Sequence, residues 1–224
     1  MTGPGHMARY SAATVASAGD GRLFSPSFER NFEPIREALA PYLGTANGTV
    51  LEIGCGTGQH VAHLAIAYPA LTWLPSDIDA THRASAEAWA AHTNAGNVEA
   101  SVYLDASSDW SADPILDDHL PLAAVLSYNV IHIAPWAVAQ GTVVGAGKAL
   151  APGGSLIFYG PFKEGGRHTG EGNARFDVGL RAENPEWGVR EIGDLAVLAL
   201  DAGLGVPEIT EMPSNNRLVA FQKL

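Results

Sequence analysis

The sequence has very little cysteine, no long apolar run and no excess of positive charge, and each shortage excludes a class of protein. Cys55 is the single cysteine among 224 residues, so the chain forms no internal disulfide, which suits a cytoplasmic location. No stretch approaches the roughly 18 apolar residues of a membrane helix, so we expect no membrane partner. A formal net charge of −11 repels nucleic acid, and we expect a small-molecule substrate instead.

The N-terminal residues contain no hydrophobic signal segment. Residues 1–7 include Gly3-Pro4-Gly5-His6-Met7, a string that resembles a tag remnant, and we expect residues 1–23 to be flexible or lid-like. An apolar content of 46% with 17% charged residues fits a globular protein. Because no repeat or linker divides the rest, we expect one domain over residues 24–224. The sequence leaves the oligomeric state open.

Strand-like and helix-like segments alternate along most of the chain. Strands are predicted at residues 49–53, 71–75, 98–104, 122–127 and 155–159. Helices are predicted from a Ser25 cap with Pro26 at the first position, at 60–68, 81–92 and 135–150, and from an Asp194 cap to residue 202. Residues 206–211 and 217–222 predict a terminal hairpin. The pattern predicts an α/β fold with a Rossmann-like, doubly wound, mostly parallel sheet of seven strands and a terminal antiparallel hairpin.

A glycine-rich turn follows the first of these strands. Its sequence is Glu52-Ile53-Gly54-Cys55-Gly56-Thr57-Gly58, and a helix is predicted after it. Glycines allow backbone N–H groups to approach a polar ligand closely. A dinucleotide fingerprint requires its third glycine at the position of Gln59. The spacing instead resembles motif I of the class I S-adenosylmethionine-dependent methyltransferases.

That resemblance implies S-adenosylmethionine as cofactor, and polar residues at predicted strand ends suit its parts. Asp77 is placed to accept from the ribose hydroxyls, with Asp79 as the alternative if the strand register slips by two. Glu52 either orients the loop or reaches the amino group through water. The other expected cofactor residues are Gly54, Gly56 and Gly58 in the turn, Ile78 and the Asp105-Ala106 pair at the adenine, and Asn129 and Arg30 at the methionine portion.

His132 is the candidate catalytic base, because an imidazole titrates near neutral pH. The alternative is a histidine that only shapes the pocket wall. A polar, glycine-rich segment around residues 160–174 is predicted to be a mobile insertion beside the acceptor pocket. The expected substrate residues are Trp136, Tyr159, His168, Asn173, Asp177 and Arg181. His60 and His63 lack the further ligands of a metal site, so we expect no metal.

A wider set of strings resembles one family, known as domain of unknown function 938, whose animal member is called methyltransferase-like protein 26. The resemblance extends from about residue 23 to residue 224. The strings are SPSFERN at 25–31, GTGQH at 56–60, PSDID at 75–79, NVIHIAPW at 129–136, YGPF at 159–162, NPEWG at 184–188 and MPSNN at 212–216. The resemblance implies a class I methyltransferase fold and cofactor, but no particular substrate.

Three functional hypotheses follow. The first is a methyltransferase acting on an oxygen, nitrogen or sulfur atom of a small molecule. The second is a non-catalytic cofactor-binding or scaffold protein that retains the fold, because no decisive catalytic constellation surrounds His132. A nicotinamide-dependent oxidoreductase is disfavoured by Gln59.

Overall fold

The computed structural model of the protein describes residues 16–17 and 19–224, which form two units joined between Asp105 and Ala106. Most of the expected lid-like segment, residues 1–23, lies outside the described residues, so its flexibility stays a prediction. Within the described part, β1 (Ala16–Ser17) pairs antiparallel with β2 (Leu23–Phe24). Leu23 is anchored at both polar atoms, since its N–H donates to Ser85 Oγ and its carbonyl accepts from Trp89 Nε1, each at 2.8 Å.

The rest of the first unit alternates helices with two parallel strands. In chain order its elements are α1 (Phe28–Leu43), β3 (Gly48–Ile53), α2 (Gln59–Ala67), β4 (Leu71–Ser76) and α3 (Ala80–Thr93). The two strands pair in register from Gly48↔Leu71 to Ile53↔Ser76. Their apolar side chains are buried, as the near-continuous apolar runs predict. The two strands and three helices predicted in this region are confirmed.

The start of α1 differs from the prediction. The helix begins at Phe28, and Ser25 and Ser27 bond to each other through their hydroxyls at 2.9 Å. The N–H of Ser25 donates instead to the side-chain oxygen of Gln59, beside the glycine-rich turn. Ser25 is therefore fixed by a distant contact and does not cap a helix.

The strand predicted at residues 98–104 is wrong. The segment makes only single-residue parallel bridges, Trp73↔Val98 and Ser76↔Val102. The N–H of Trp73 on β4 donates to the Asn97 carbonyl and the N–H of Asp77, just after β4, donates to the Val102 carbonyl, but the residue midway between the two donors is Pro75. Proline has no N–H, so the middle bond of the ladder is missing and no continuous strand forms.

The second unit combines one parallel pair of long strands with an antiparallel end. Its long strands are β5 (Leu122–Tyr128), β6 (Leu150–Glu164), β9 (Glu208–Met212) and β10 (Asn216–Gln222). Strands β5 and β6 are parallel, and β10 runs antiparallel to both β6 and β9. The mixed α/β fold with a terminal antiparallel pair is confirmed.

The remaining elements of this unit are short strands and three helices. They are α4 (Trp136–Ala149), β7 (Arg167–His168), α5 (Glu171–Glu183), β8 (Arg190–Glu191) and α6 (Ile192–Asp201). A 3₁₀ turn at Val130–His132 follows β5. Strands β3 to β10 number eight, so the expected count of seven is wrong. The difference arises because residues 98–104 form no strand, whereas β6 continues to Glu164 and pairs there with two unpredicted two-residue strands, β7 and β8.

Residues 160–174 contain regular structure. They comprise the end of β6, a turn at Gly165 and Gly166 with φ of +58° and +77°, β7 and the start of α5. Helix α5 was not predicted, because its buried positions are mostly polar. The mobility of this segment stays a prediction.

Helix α6 begins at Ile192, with Glu191 as its cap, so the predicted Asp194 cap is wrong. Among the residues that the structure describes, no helix combines the length and apolar character needed to cross a bilayer.

Candidate functional site

The glycine-rich turn connects β3 to α2 through three left-handed glycines. Gly54, Gly56 and Gly58 have φ of +71°, +54° and +78°. The N–H groups of Gly54 and Cys55 both donate to the carbonyl of Ser76, each at 2.9 Å. A Cβ on Gly58 would lie 2.3 Å from Ala86 Cα, whereas one on Gly56 would meet no atom within 4 Å. Gly58 therefore permits close packing of α3, while Gly56 borders open space that a ligand can enter.

Asp77, immediately after β4, is bonded to this turn. Its Oδ2 accepts from the Gly56 N–H at 3.0 Å and lies 3.1 Å from His82 Nδ1, and its Oδ1 accepts from the Asp79 N–H at 2.9 Å. Asp79 has a different role, because its carboxylate caps α3 by accepting from the Thr81 N–H at 2.7 Å. The strand-end acid that faces the turn is thus Asp77.

Burial shifts the acid–base properties around Asp77. The buried Glu52 has one carboxyl oxygen, Oε2, without a hydrogen-bond partner in the described part of the chain. Burial, and then the charge of Asp77, raise the pKa of Glu52 well above its usual value. Burial alone would lower the pKa of His82, but the hydrogen bond and charge of Asp77 outweigh it and raise that pKa. The charge of Asp77 therefore favours the protonated forms of both the Glu52 carboxyl and the His82 imidazole.

The other expected cofactor residues of the first unit are more exposed. Arg30 lies on α1 and is exposed, while Ile78 and Asp105 are half-buried. The N–H of Asp77 donates to the Val102 carbonyl at 3.2 Å, so the chain leading to Asp105 runs beside the end of β4. The structure therefore brings the turn, Asp77 and Glu52 together and places Asp105 on the adjoining segment.

The expected cofactor residues of the second unit are Ala106 at its start and Asn129 directly after β5. Asn129 is exposed, adopts φ of +61°, and donates its N–H to the Tyr159 carbonyl at 2.8 Å. Ala106 is buried, and a Cβ on Gly141 of α4 would lie 2.0 Å from its carbonyl oxygen. Close packing against α4 thus surrounds Ala106, whereas Asn129 keeps its side chain accessible.

His132 is buried, with 1% of its surface exposed, in the turn after β5. Neither ring nitrogen has a hydrogen-bond partner among the described residues, and the ring meets Phe162 edge-on at 5.0 Å. Burial, and then the charge of Arg190, lower the pKa of His132 to about 3. Gly160 permits this placement, since a Cβ there would lie 2.6 Å from His132 Nε2 and 2.8 Å from Asn129 Oδ1. The imidazole is therefore neutral, with both nitrogens unpaired, a rare state for a buried polar group.

Arg190, which the sequence did not single out, holds the turn that carries His132. Its guanidinium donates to the carbonyls of Ile131 at 2.8 Å, Ala134 at 2.6 Å and Glu186 at 2.9 Å. It also lies over the Trp136 ring, 5.5 Å from the centroid. No local sequence pattern signals the contacts with Ile131, Ala134 and Trp136, because these residues lie more than fifty positions before Arg190.

Asp177 on α5 is buried and contacts three basic side chains. Its Oδ2 lies 2.8 Å from Lys163 Nζ and 2.9 Å from His168 Nε2. Its Oδ1 lies 3.1 Å from Arg181 Nε and accepts from the Val189 N–H at 2.8 Å. Burial opposes ionisation, but the bonds from Lys163, His168 and Val189 hold the pKa of Asp177 well below its usual range. Lys163 is a second residue that the sequence analysis missed.

The other expected substrate residues make hydrogen bonds within the second unit. Asn173 donates through Nδ2 to Thr169 Oγ1 and to the Asn215 carbonyl, each at 2.9 Å. The Tyr159 hydroxyl accepts from Asn216 Nδ2 at 3.0 Å. Trp136 is half-buried beneath Arg190. Within the described residues, no group of three or more His, Cys, Asp or Glu side chains is arranged to hold a metal ion.

A sequence profile described as "Protein of unknown function (DUF938)" matches residues 22–223. The chain belongs to this family. The match covers both units and includes the glycine-rich turn, Asp77, His132 and Asp177.

Solved methyltransferase structures share the fold. An O-methyltransferase family protein from Burkholderia thailandensis is 18% identical, with a TM-score of 0.72 over 85% of this chain and 55% of that one. An O-methyltransferase family 2 protein from Planctomyces limnophilus, in complex with apigenin, is 17% identical, with a TM-score of 0.69 over 85% of this chain and 56% of that one. The chain therefore spans about half the length of these structures.

A third neighbour carries a bound cofactor. It is NcsB1 from neocarzinostatin biosynthesis, an O-methyltransferase in complex with S-adenosylmethionine and 2-hydroxy-5-methyl naphthoic acid. It is 20% identical, with a TM-score of 0.66 over 88% of this chain and 54% of that one. At such identities the likeness establishes the fold alone, and the class I methyltransferase fold is confirmed.

Proposed function

We propose that the protein is an S-adenosylmethionine-dependent methyltransferase acting on a small molecule. The observation that carries the proposal is the bond between the Gly56 N–H and Asp77 Oδ2, beside the open space at Gly56. A positive-φ glycine turn joined to a strand-end carboxylate offers a close backbone approach and a diol acceptor in one place. The methyltransferase neighbours, one of them with S-adenosylmethionine bound, support the same cofactor.

The described residues fit the parts of this cofactor. Asp77 retains acceptor capacity on Oδ1 for a ribose hydroxyl, because this oxygen accepts from the Asp79 N–H and can take a second donor. Glu52 has an unpartnered buried oxygen that suits the cofactor ammonium group, directly or through water. The remaining proposed contacts are Gly54 and Gly58 in the turn, Ile78, Asp105 and Ala106 at the adenine, and Asn129 and Arg30 at the methionine carboxylate. When bound, the cofactor supplies an electrophilic methyl group on its sulfonium.

His132 is the proposed proton acceptor for the substrate atom that takes the methyl group. Its neutral imidazole has both nitrogens unpaired, so the nitrogen that carries no hydrogen can accept a hydrogen bond or a proton. Arg190 and Phe162 fix its position, and alignment of reacting groups contributes roughly 7–11 kcal/mol in favourable cases. Trp136, Tyr159 and Asn173 are proposed to line the acceptor pocket together with the Asp177 cluster. The buried, unpaired Cys55 supports a cytoplasmic location.

The cofactor proposal is tested by calorimetric titration with S-adenosylmethionine and its demethylated product. We expect the parent protein to bind both and Asp77→Ala to lose most of the affinity. Asp109→Ala is the matched control, because this exposed acid pairs with Lys148 and Ser111, neither of which belongs to the glycine-rich turn. No binding to the parent at about 1 mM, or undiminished binding to Asp77→Ala, contradicts the proposal.

A second candidate function is cofactor binding without catalysis. It is favoured by the burial of His132 and by the low pKa of its ring, which makes it a weak base. Release of the demethylated product, measured over a panel of hydroxyl, amine and thiol acceptors, separates the two. Acceptor-dependent release supports the methyltransferase, whereas cofactor binding without release from any acceptor supports the second candidate.

A further inference from the structure

The cluster around Asp177 holds more positive than negative charge. Lys163 and Arg181 are permanent cations, and His168 adds an imidazole, yet all three contact one carboxylate. Glu191 lies opposite Lys163 in the β6–β8 register, but its oxygens accept from the N–H groups of Gly165 and Gly166. The surplus charge is unusual in a chain whose net charge is −11.

The acceptor capacity of Asp177 is already filled. Each of its oxygens receives two donors, at 2.8 Å and 2.9 Å on Oδ2 and at 2.8 Å and 3.1 Å on Oδ1. A carboxylate accepts about four hydrogen bonds, so Asp177 has no free acceptor position for a further donor. In the described part of the chain, Lys163 and Arg181 each contact Asp177 through one nitrogen, which leaves further donors, because an ammonium has three N–H groups and a guanidinium five. Those groups remain available to a second anion.

The cationic side chains are accessible, while their carboxylate partner is not. The exposed fraction is 20% for the Lys163 side chain, 27% for His168 and 48% for Arg181, against 7% for Asp177. An anion that approaches from solvent therefore contacts the N–H donors of Lys163, His168 and Arg181, because the Asp177 carboxylate is buried behind them. Partly buried charges of this kind are screened less by salt than fully exposed ones.

Two consecutive residues join this cluster to His132. The Gly188 N–H donates to the His132 carbonyl at 2.9 Å, and the next N–H, of Val189, donates to Asp177 Oδ1 at 2.8 Å. Gly188 has φ of +149°, and a Cβ there would lie 2.6 Å from Arg181 Nη2. Asp177 and His132 are thus both hydrogen-bonded to the dipeptide Gly188-Val189.

We propose that Lys163, His168 and Arg181 bind the carboxylate or phosphate group of an anionic methyl acceptor. This inference rests on the proposed methyltransferase function, since it makes the cluster an anchor for the acceptor while the reacting atom lies at His132. Asp177 is the positioning residue that orders the three donors. Lys and Arg side chains form short, charge-assisted bonds to such oxyanions, which select a charged acceptor over its neutral analogue.

The test measures anion binding directly by NMR titration, with benzoate and inorganic phosphate as probes and benzamide as the neutral counterpart of benzoate. We expect the parent to bind both anions, with shifts centred on residues 163–190, and Lys163→Met to bind them about tenfold more weakly. Arg175→Met is the matched control, because Arg175 lies on α5 with Asp177 and Arg181, is 77% exposed and pairs with Glu171. Its affinity should equal that of the parent.

Three results overturn the inference: no anion binding by the parent at about 10 mM, equal affinity in Lys163→Met, or equal binding of benzamide and benzoate. His168→Gln provides the same comparison if Lys163→Met does not fold. Binding of the demethylated cofactor is measured on each variant. If the parent binds anions as expected but no cofactor, the methyltransferase proposal fails and the anion site is retained. If the parent binds the cofactor but no anion, the anion site fails and the methyltransferase proposal is retained.

Discussion

The backbone N–H of Gly56 donates to Asp77 Oδ2 at 3.0 Å, across 21 positions of the chain. The bond joins the turn after β3 to the end of β4, and the Ser76 carbonyl adds two more bonds to the same turn at 2.9 Å each. The proposed ribose acceptor and the proposed loop are therefore fixed to each other by hydrogen bonds of the chain itself. A site ordered in advance loses less conformational entropy on binding.

Asp77→Asn should change the titration of His82. The charge and hydrogen bond of Asp77 raise the pKa of His82, and the amide retains the shape but not the charge. We expect the pKa of His82 to fall, because burial then acts against the protonated ring and only the charge of Asp79, the smallest of the causes that raise this pKa, remains to oppose it. Proton NMR titration of the histidine ring signals measures the effect. An unshifted His82 curve would show that Asp77 does not control it.

Two alanine substitutions in the turn should separate stability from binding. Gly58→Ala places a Cβ 2.3 Å from Ala86 Cα, at φ of +78°, so we expect unfolding to become easier by about 3 kcal/mol or more. Gly56→Ala meets open space, at φ of +54°, so we expect a cost of only about 1 kcal/mol together with loss of cofactor binding. Urea denaturation and calorimetry give the two quantities. Tight cofactor binding by Gly56→Ala would place the ligand elsewhere.

Substitution of His132 should affect turnover and leave cofactor binding nearly unchanged. We expect His132→Ala to slow turnover by about 10²-fold or more, as typical for loss of a positioned proton acceptor. Because the pKa of His132 is lowered to about 3, the ring stays neutral from pH 5 to 9, and activity should show no protonation step near pH 6.5. Equal turnover rates in His132→Ala and the parent would show that His132 only shapes the wall of the pocket.

His132 should also make the fold less stable in acid. Its pKa lies near 6.5 in the unfolded chain and near 3 in the folded one. Between these values the unfolded chain binds a proton that the folded chain does not, so the free energy of unfolding falls as the pH falls below about 6.5. By pH 5 the loss is about 2 kcal/mol relative to pH 7.5. Urea denaturation of the parent and of His132→Gln at both pH values checks this, and a fall of the same size in the variant would contradict it.

Local chemistry in the sequence was sufficient to predict the glycine-rich turn and its acid partner. A buried strand, alternate glycines and an acid at the end of the next strand are set by short-range backbone rules. Apolar periodicity marks a buried face in the other helices and in the long strands, and these were predicted for the same reason, whereas α5, β7 and β8 were not. The α/β fold and its antiparallel end therefore followed from the sequence, although the strand predicted at 98–104 does not form.

Tertiary structure alone decided the surroundings of His132 and Asp177. Helix α5 buries Asn173, Asp177 and Leu180, a stripe that is mostly polar and therefore invisible to a search for apolar periodicity. Its burial is compensated by bonds from β6, β7 and Val189, and the His132 turn is held by Arg190 from 59 positions away. Local preference cannot specify such partners, because a buried polar group is stabilised only by the donors and acceptors that the folded chain brings to it.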